Sequence, residues 1–208
     1  EGRRSARSAA HQVTTNARVV GAIFRVWSRF YDHPLPQRLY YRRVHRHIRR
    51  RWHPATERVL DVGCGTGLFL EELSRDHPLL ELTGFDLSEH MLAEARRRTG
   101  KPTFVQGSVY EMPFADGAFD VVLNTISCHF YLEQVRAFRE IARVLSPGGR
   151  FLCAAVSFGP FARSSAVAGV AVYHPRRVLE QHLREAGFEV VAYERIFPGT
   201  VLFDARKR

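Results

Sequence analysis

The sequence predicts an α/β fold: a doubly wound, mostly parallel sheet with helices on both faces. Three observations carry that expectation. Val59-Leu60-Asp61-Val62 is a short apolar strand that runs into Gly63-Cys64-Gly65-Thr66-Gly67, and helical spacing begins at once with Leu68, Phe69, Leu70 and Leu73. Strand, glycine turn and helix in that order open a nucleotide site in such sheets. The glycines let the backbone bend tightly, and the free N–H groups of the following helix face the ligand. A second apolar run, Leu80–Phe85, ends on an acid, Asp86, 19 residues beyond Gly67. The third, Phe119–Leu123, is nearly uninterrupted, as suits a strand covered on both faces.

At 208 residues, with 45% hydrophobic and 25% charged, the chain is large enough for one domain with a substantial core. No apolar run reaches the roughly 18 residues of a membrane-spanning helix. Cys64, Cys128 and Cys153 show no zinc spacing and form no even disulfide set, so a reducing, cytoplasmic compartment and no metal are expected. The net charge of +10 is unevenly spread: residues 1–58 hold 14 arginines against Glu1, Asp32 and Glu57, while the remaining 150 residues come to −1. The basic character belongs to the N-terminal segment, which weakens any inference from charge that the whole chain binds nucleic acid.

Taken in order, residues 1–16 are rich in Ser, Ala and Arg and are expected to be flexible, a composition also found in transit peptides. Over 17–31, Val19, Val20, Ile23, Phe24, Trp27, Phe30 and Tyr31 share one helical face, with Arg18, Arg25 and Arg29 opposite. Such a helix packs on the domain as a lid or lies on an anionic membrane surface. Pro34 and Pro36 break it. A second helix is expected over 36–51 with Leu39, Tyr40, Val44 and Ile48 inward; its arginines form a solvated face or meet a phosphate-bearing substrate or acidic lipid. Residues 1–54 thus read as a basic helical lid and 55–208 as the sheet domain.

Within that domain the first strand leads to a helix over 66–75. Leu80–Phe85 leads to a helix capped by Ser88, with Met91, Leu92 and Ala95 inward. Thr103–Gly107 is the third strand and Phe119–Leu123 the fourth, followed by Asn124–Phe130 at the carboxyl edge where ligands bind in open sheets. A helix over 131–145 carries Val135, Phe138, Ile141, Ala142 and Leu145 inward. Pro147-Gly148-Gly149 then ends it before a fifth strand that reaches Val156. Residues 157–172 read as a short irregular insertion. A helix over 175–186, a sixth strand from Phe188 and a seventh over Thr200–Ala205 complete the chain.

The glycine run Gly63-x-Gly65-x-Gly67 with Asp61 before it differs from the dinucleotide spacing Gly-x-Gly-x-x-Gly. A carboxylate there disfavours a pyrophosphate and suits a ligand with an ammonium group. The stretch resembles motif I of the class I S-adenosylmethionine (SAM)-dependent methyltransferases, most of all the small-molecule group that includes the ubiquinone and menaquinone biosynthesis enzymes. The similarity runs from about 55 to 206, through Gly84-Phe85-Asp86-Leu87-Ser88, the segment from Glu111 to Asp120, and Leu145-Ser146-Pro147-Gly148-Gly149.

The resemblance implies a Rossmann-like seven-stranded sheet in the order 3-2-1-4-5-7-6, with strand 7 antiparallel, and SAM as cofactor. It places the amino acid end of SAM over Asp61, Gly63, Cys64, Gly65 and Gly67. The ribose hydroxyls fall to Asp86, the adenine to Leu87, Ser108 and Val109, and the methionine amine lies near Asn124. Ser108 stands where the family carries an Asp, and its hydroxyl can still accept the adenine amino hydrogen. Tyr31-Asp32 matches a pair whose Tyr closes over the methionine end. His129 matches a histidine that serves as general base or as a packing residue.

The function expected is methyl transfer from SAM to a small-molecule or lipid-like acceptor by in-line displacement, with peripheral membrane contact through residues 17–51. The alternatives are a nucleic-acid methyltransferase using the basic N-terminus, a non-catalytic SAM-binding or membrane-surface module, and an NAD-dependent oxidoreductase. Against the nucleic-acid reading, the chain has no Asn-Pro-Pro-Tyr type motif, no Pro-Cys nucleophile and no added RNA-binding domain. The glycine spacing argues against the oxidoreductase.

Overall fold

The computed structural model describes residues 35–54, 57–157, 165–167 and 170–208. The helix expected over 17–31, with Tyr31, lies outside the described residues. The first described element is helix α1 (Leu35–Arg51), followed by β1 (Arg58–Val62), α2 (Leu68–Asp76), β2 (Glu81–Asp86), α3 (Glu89–Arg98), β3 (Thr103–Gln106) and β4 (Phe119–Thr125). A 3-10 turn (Cys128–Phe130), α4 (Gln134–Val144), β5 (Leu145–Val156), β6 (Ser165–Val167), β7 (Ala171–Tyr173), α5 (Arg176–Glu185), β8 (Phe188–Phe197) and β9 (Thr200–Lys207) complete it.

Seven strands form one sheet in the order β3-β2-β1-β4-β5-β9-β8. β1 pairs in parallel with β2 and β4, while β9 runs antiparallel to both β5 and β8. Counting only these seven, the order is the 3-2-1-4-5-7-6 that the resemblance implies. β6 and β7 form a separate two-stranded antiparallel hairpin, so the insertion at 157–172 is not wholly irregular. Its strands are three residues each, too short to leave an alternating pattern in the sequence.

Strand alternation divides the core between the two faces of the sheet. Leu60, Val62 and Val122 point to the side of Phe138, Ile141, Leu179 and Leu183. Val59, Val121 and Leu123 point to the side of Val44, Ile48, Phe69, Leu70 and Leu73. By the same alternation Asp61 lies on the face of Val59, toward α1 and α2. Ser88 caps α3 by accepting a hydrogen bond from the Met91 N–H at 3.4 Å. The helix expected from 131 begins three residues later, because Cys128–Phe130 winds as a tighter turn first.

α1 is part of the core, with Val44 and Ile48 fully buried and Trp52, just past its end, nearly so. It is tied to α2 by His45 on Glu72 and Arg49 on Asp76, and to β8 by His47 and Arg51 on Glu194. Leu39 differs from expectation: it faces outward, 57% exposed. Five residues separate it from Val44, which on a helix places the two about 140° apart. The inner face is instead Tyr40, Tyr41, Val44, His45 and Ile48.

Candidate functional site

The site is built around the turn between β1 and α2. Gly63 and Cys64 both donate to the Phe85 carbonyl, at 2.7 and 3.2 Å, so the turn is stitched to the end of β2. Gly63 has φ +76°, and a Cβ there would stand 2.2 Å from Ser127 Oγ. No other residue fits. Gly65 has φ +55°, yet a Cβ on it would meet nothing within 4 Å. Its surroundings are open on that side.

Asp86 at the tip of β2 ties the turn to the start of α3. Its Oδ2 accepts from Gly65 N and its Oδ1 from Ser88 N, both at 2.9 Å. Burial raises its pKa, partly offset by these backbone donors. Each oxygen keeps acceptor capacity for a further hydroxyl. Leu87 follows, its carbonyl accepting from Gln106 Nε2, and Ser108 Oγ accepts from Tyr110 N at 3.3 Å. Val109 is buried beside Phe85 in the core cluster.

Asp61 is 1% exposed, and neither carboxylate oxygen has a hydrogen-bond partner among the described residues. Burial, with the charge of Asp86 adding to it, pushes its carboxyl up to about 8. A carboxylate held in this way is costly unless a cation completes it.

Asn124, fully buried at the end of β4, holds the turn from behind. Its amide nitrogen lies within hydrogen-bond reach of Val62 O (2.9 Å), Ser127 Oγ (2.7 Å) and the Tyr131 hydroxyl (2.8 Å), and its Oδ1 accepts from Cys128 N. Between them Ile126 sits at φ +59°, the one non-glycine positive φ among the described residues. A β-branched residue held there costs on the order of 1–3 kcal/mol, and such strain is concentrated at functional sites. No sequence signal marks Ile126, Ser127 or Tyr131, because their roles arise only when β4 folds back on the glycine turn.

A shallow open cleft lies over the turn, lined by Gly63, Cys64, Gly65, Thr66 and Phe69, by Tyr41 and His45 of α1, and by Thr125. His45 stacks on Phe69 at 4.2 Å, and burial lowers its pKa despite Glu72 beside it. His129 is not among the cleft residues. It is 8% exposed, stacked on Tyr173 of β7 at 5.2 Å, with its Nδ1 buried and unpartnered among the described residues. Burial drops its pKa to about 4, so it is a neutral imidazole at physiological pH.

The structure therefore brings Asp61, Gly63, Cys64, Gly65, Gly67, Asp86 and Leu87 around one turn. It places Asn124 behind that turn and sets His129 apart on the next segment. A cofactor with an ammonium group, a ribose diol and an aromatic base fits these residues: Asp61 offers an unsatisfied buried carboxylate, and Asp86 offers a two-oxygen acceptor.

Fold and site define a class I, Rossmann-like methyltransferase domain. Residues 60–153 match the family model for a methyltransferase domain, and SAM is the cofactor that this match and the solved neighbours imply. The chain is 40% identical over 98 residues, 46% of its length and 34% of the relative's, to a malonyl-[acyl-carrier protein] O-methyltransferase of Legionella pneumophila. It is 37% identical over 113 residues, 54% of its length and 46% of the relative's, to a demethylmenaquinone methyltransferase of Beutenbergia cavernae. It thus spans less than half the length of these curated relatives. The solved structure of a SAM-dependent methyltransferase from Mesorhizobium loti aligns with a TM-score of 0.65 at 22% identity, over 79% of this chain and 96% of that one, and shares its fold. Among the described residues no helix is long and apolar enough to cross a membrane.

Proposed function

We propose that the chain is an enzyme that transfers a methyl group from SAM to a small-molecule or lipid-like acceptor. The observation that carries this reading is Asp61, a carboxylate shut away from water with both oxygens unpartnered beside the glycine turn. SAM supplies a methyl group already activated by its sulfonium. The protein's work is therefore to bind, to align acceptor, carbon and sulfur in line, and to exclude water. Asp61 holds the ammonium group. The backbone at Gly63, Cys64, Gly65 and Gly67 accommodates the amino acid end. Asp86 takes both ribose hydroxyls, and Leu87, Val109 and Ser108 flank the adenine. Asn124 positions the turn through Val62 and Ser127, close to the methionine amine. The names of the relatives, a carrier-bound malonyl group and demethylmenaquinone, support the acceptor class. Calorimetry is expected to show binding of SAM and none of NAD; NAD binding without SAM binding overturns the reading. Transfer of labelled methyl to RNA in preference to small acceptors would favour the nucleic-acid alternative.

Asp86→Asn removes the charge that two hydroxyls share. Charge-assisted hydrogen bonds contribute about 1.5–3 kcal/mol each, so the affinity for SAM is expected to fall about 100-fold. An unchanged dissociation constant would remove Asp86 from the ribose site.

His129 lies outside the cleft lining, so in this reading it takes a proton only from an acceptor that extends past the turn to the Cys128–Phe130 segment. His129→Gln is then expected to lower kcat about 100-fold with SAM affinity unchanged. The acid limb of the kcat profile is expected near pH 4, where the residue protonates, rather than near 6.5. A kcat unaffected by the substitution makes it a packing histidine.

A further inference from the structure

The two faces of α1 do different things. Its inner face lines the cleft with Tyr41 and His45 and buries Val44 and Ile48. On its outer face Leu35, Leu39, Arg42, Arg46 and Arg50 fall within a stripe about 80° wide at helical spacing. Leu35 and Leu39 are 68% and 57% exposed. Arg42, Arg46 and Arg50 are exposed and form no ion pair among the described residues, unlike Arg49 and Arg51 on the flanks. Arg43 borders the stripe, its guanidinium 4.9 Å from the Phe197 ring. The 17-residue helix contains no acid.

We propose that this outer face docks the protein on an anionic lipid bilayer, which sets the cleft beside the membrane surface. Charge and apolar contact point to the same occupant. Three unpaired guanidiniums along a helix about 25 Å long meet a layer of phosphate groups. Two exposed leucines at the end of the same stripe meet acyl chains, as in helices that lie in the interface plane. A nucleic acid backbone would satisfy the arginines and leave the leucines in water. Because Tyr41 and His45 occupy the opposite side of the same helix, docking holds a cleft wall against the bilayer, where a lipid-like acceptor is concentrated. The inference concerns the helix surface and stands apart from the methyl-transfer reading, since vesicle binding is measured without SAM.

The test is co-sedimentation of the full chain with phosphatidylcholine vesicles, with and without phosphatidylglycerol, at low and high salt. The expected result is binding that requires phosphatidylglycerol and weakens with salt. The triple variant Arg42→Gln, Arg46→Gln, Arg50→Gln is expected to lose on the order of 10- to 100-fold in vesicle affinity, at up to roughly fivefold per arginine, with SAM binding unchanged. Other arginines near the N-terminus also contribute charge, so a second readout is local to the stripe. A polarity-sensitive dye on Leu39→Cys is expected to shift to the blue on anionic vesicles, the three native cysteines being buried. Vesicle binding unaltered in the triple variant, no dye shift, or binding to RNA but not to vesicles would each overturn the proposal.

Discussion

Asp61→Asn is expected to make the protein more stable without SAM and nearly unable to bind it. In the unfolded chain Asp61 ionises near pH 4; in the folded protein burial and Asp86 hold it protonated up to about 8. Folding therefore takes up a proton between those two values. The sign follows: stability falls as pH rises from about 4 to about 8, relative to an uncharged side chain, and is level outside that window. By pH 7 the accumulated penalty is on the order of 4 kcal/mol, at about 1.4 kcal/mol per pH unit. Asparagine still buries a polar amide with no partner, which returns part of that, leaving a gain of about 2–3 kcal/mol, or roughly 5–10 °C in Tm. The ammonium group of SAM loses its counter-charge in the same variant, and affinity is expected to drop at least 100-fold, as for truncating one partner of a buried charge pair. Thermal melts at pH 5 and 8 check the first part: the Tm difference between variant and parent is expected to widen toward pH 8. A variant less stable than its parent at pH 8 would mean that Asp61 has a partner in the fold.

Gly63→Ala and Gly65→Ala are expected to fail in different ways, although both sit at positive φ in one turn. At Gly63 the new Cβ would stand 2.2 Å from Ser127 Oγ and 2.6 Å from Ser127 Cβ. Ser127 cannot yield freely, because it lies in the network of Asn124, Tyr131 and Val62 O. Strain and overpacking together are expected to cost about 3 kcal/mol or more, lowering Tm by several degrees and dispersing the site with it. At Gly65 the only cost to the fold is the left-handed backbone, about 1 kcal/mol. The added methyl occupies the ligand's side of the turn, so SAM binding is expected to fall at least tenfold with a small change in Tm. Equal losses of stability in the two variants would contradict this division of roles.

The halves of the site differ in how far the sequence shows them, and the reason is physical. Asp61, the glycines and Asp86 lie on two strand ends and one turn, where local spacing dictates geometry. The strands are legible for the same reason, each being a short apolar run followed by a turn signal, whereas their order comes from the family resemblance. No local pattern points Tyr41 and His45 at the cleft, because which face of α1 meets α2 depends on Glu72 and Phe69, residues from a different element. Leu39 reads as inward by its hydrophobicity, whereas the 3.6-residue period separates it from Val44. The strained Ile126 and the Asn124–Ser127–Tyr131 network carry no local pattern at all. They exist only through packing of β4 against the turn.

Calorimetric titration with SAM at pH 7, in buffers of different ionisation enthalpy, tests the role of Asp61 most directly. A carboxyl with a folded pKa of about 8 is mostly protonated at that pH, and an incoming ammonium group favours its ionised form. The expected result is SAM binding with release of close to one proton to the buffer. No binding of SAM, or a binding heat that does not change with the buffer, would contradict it.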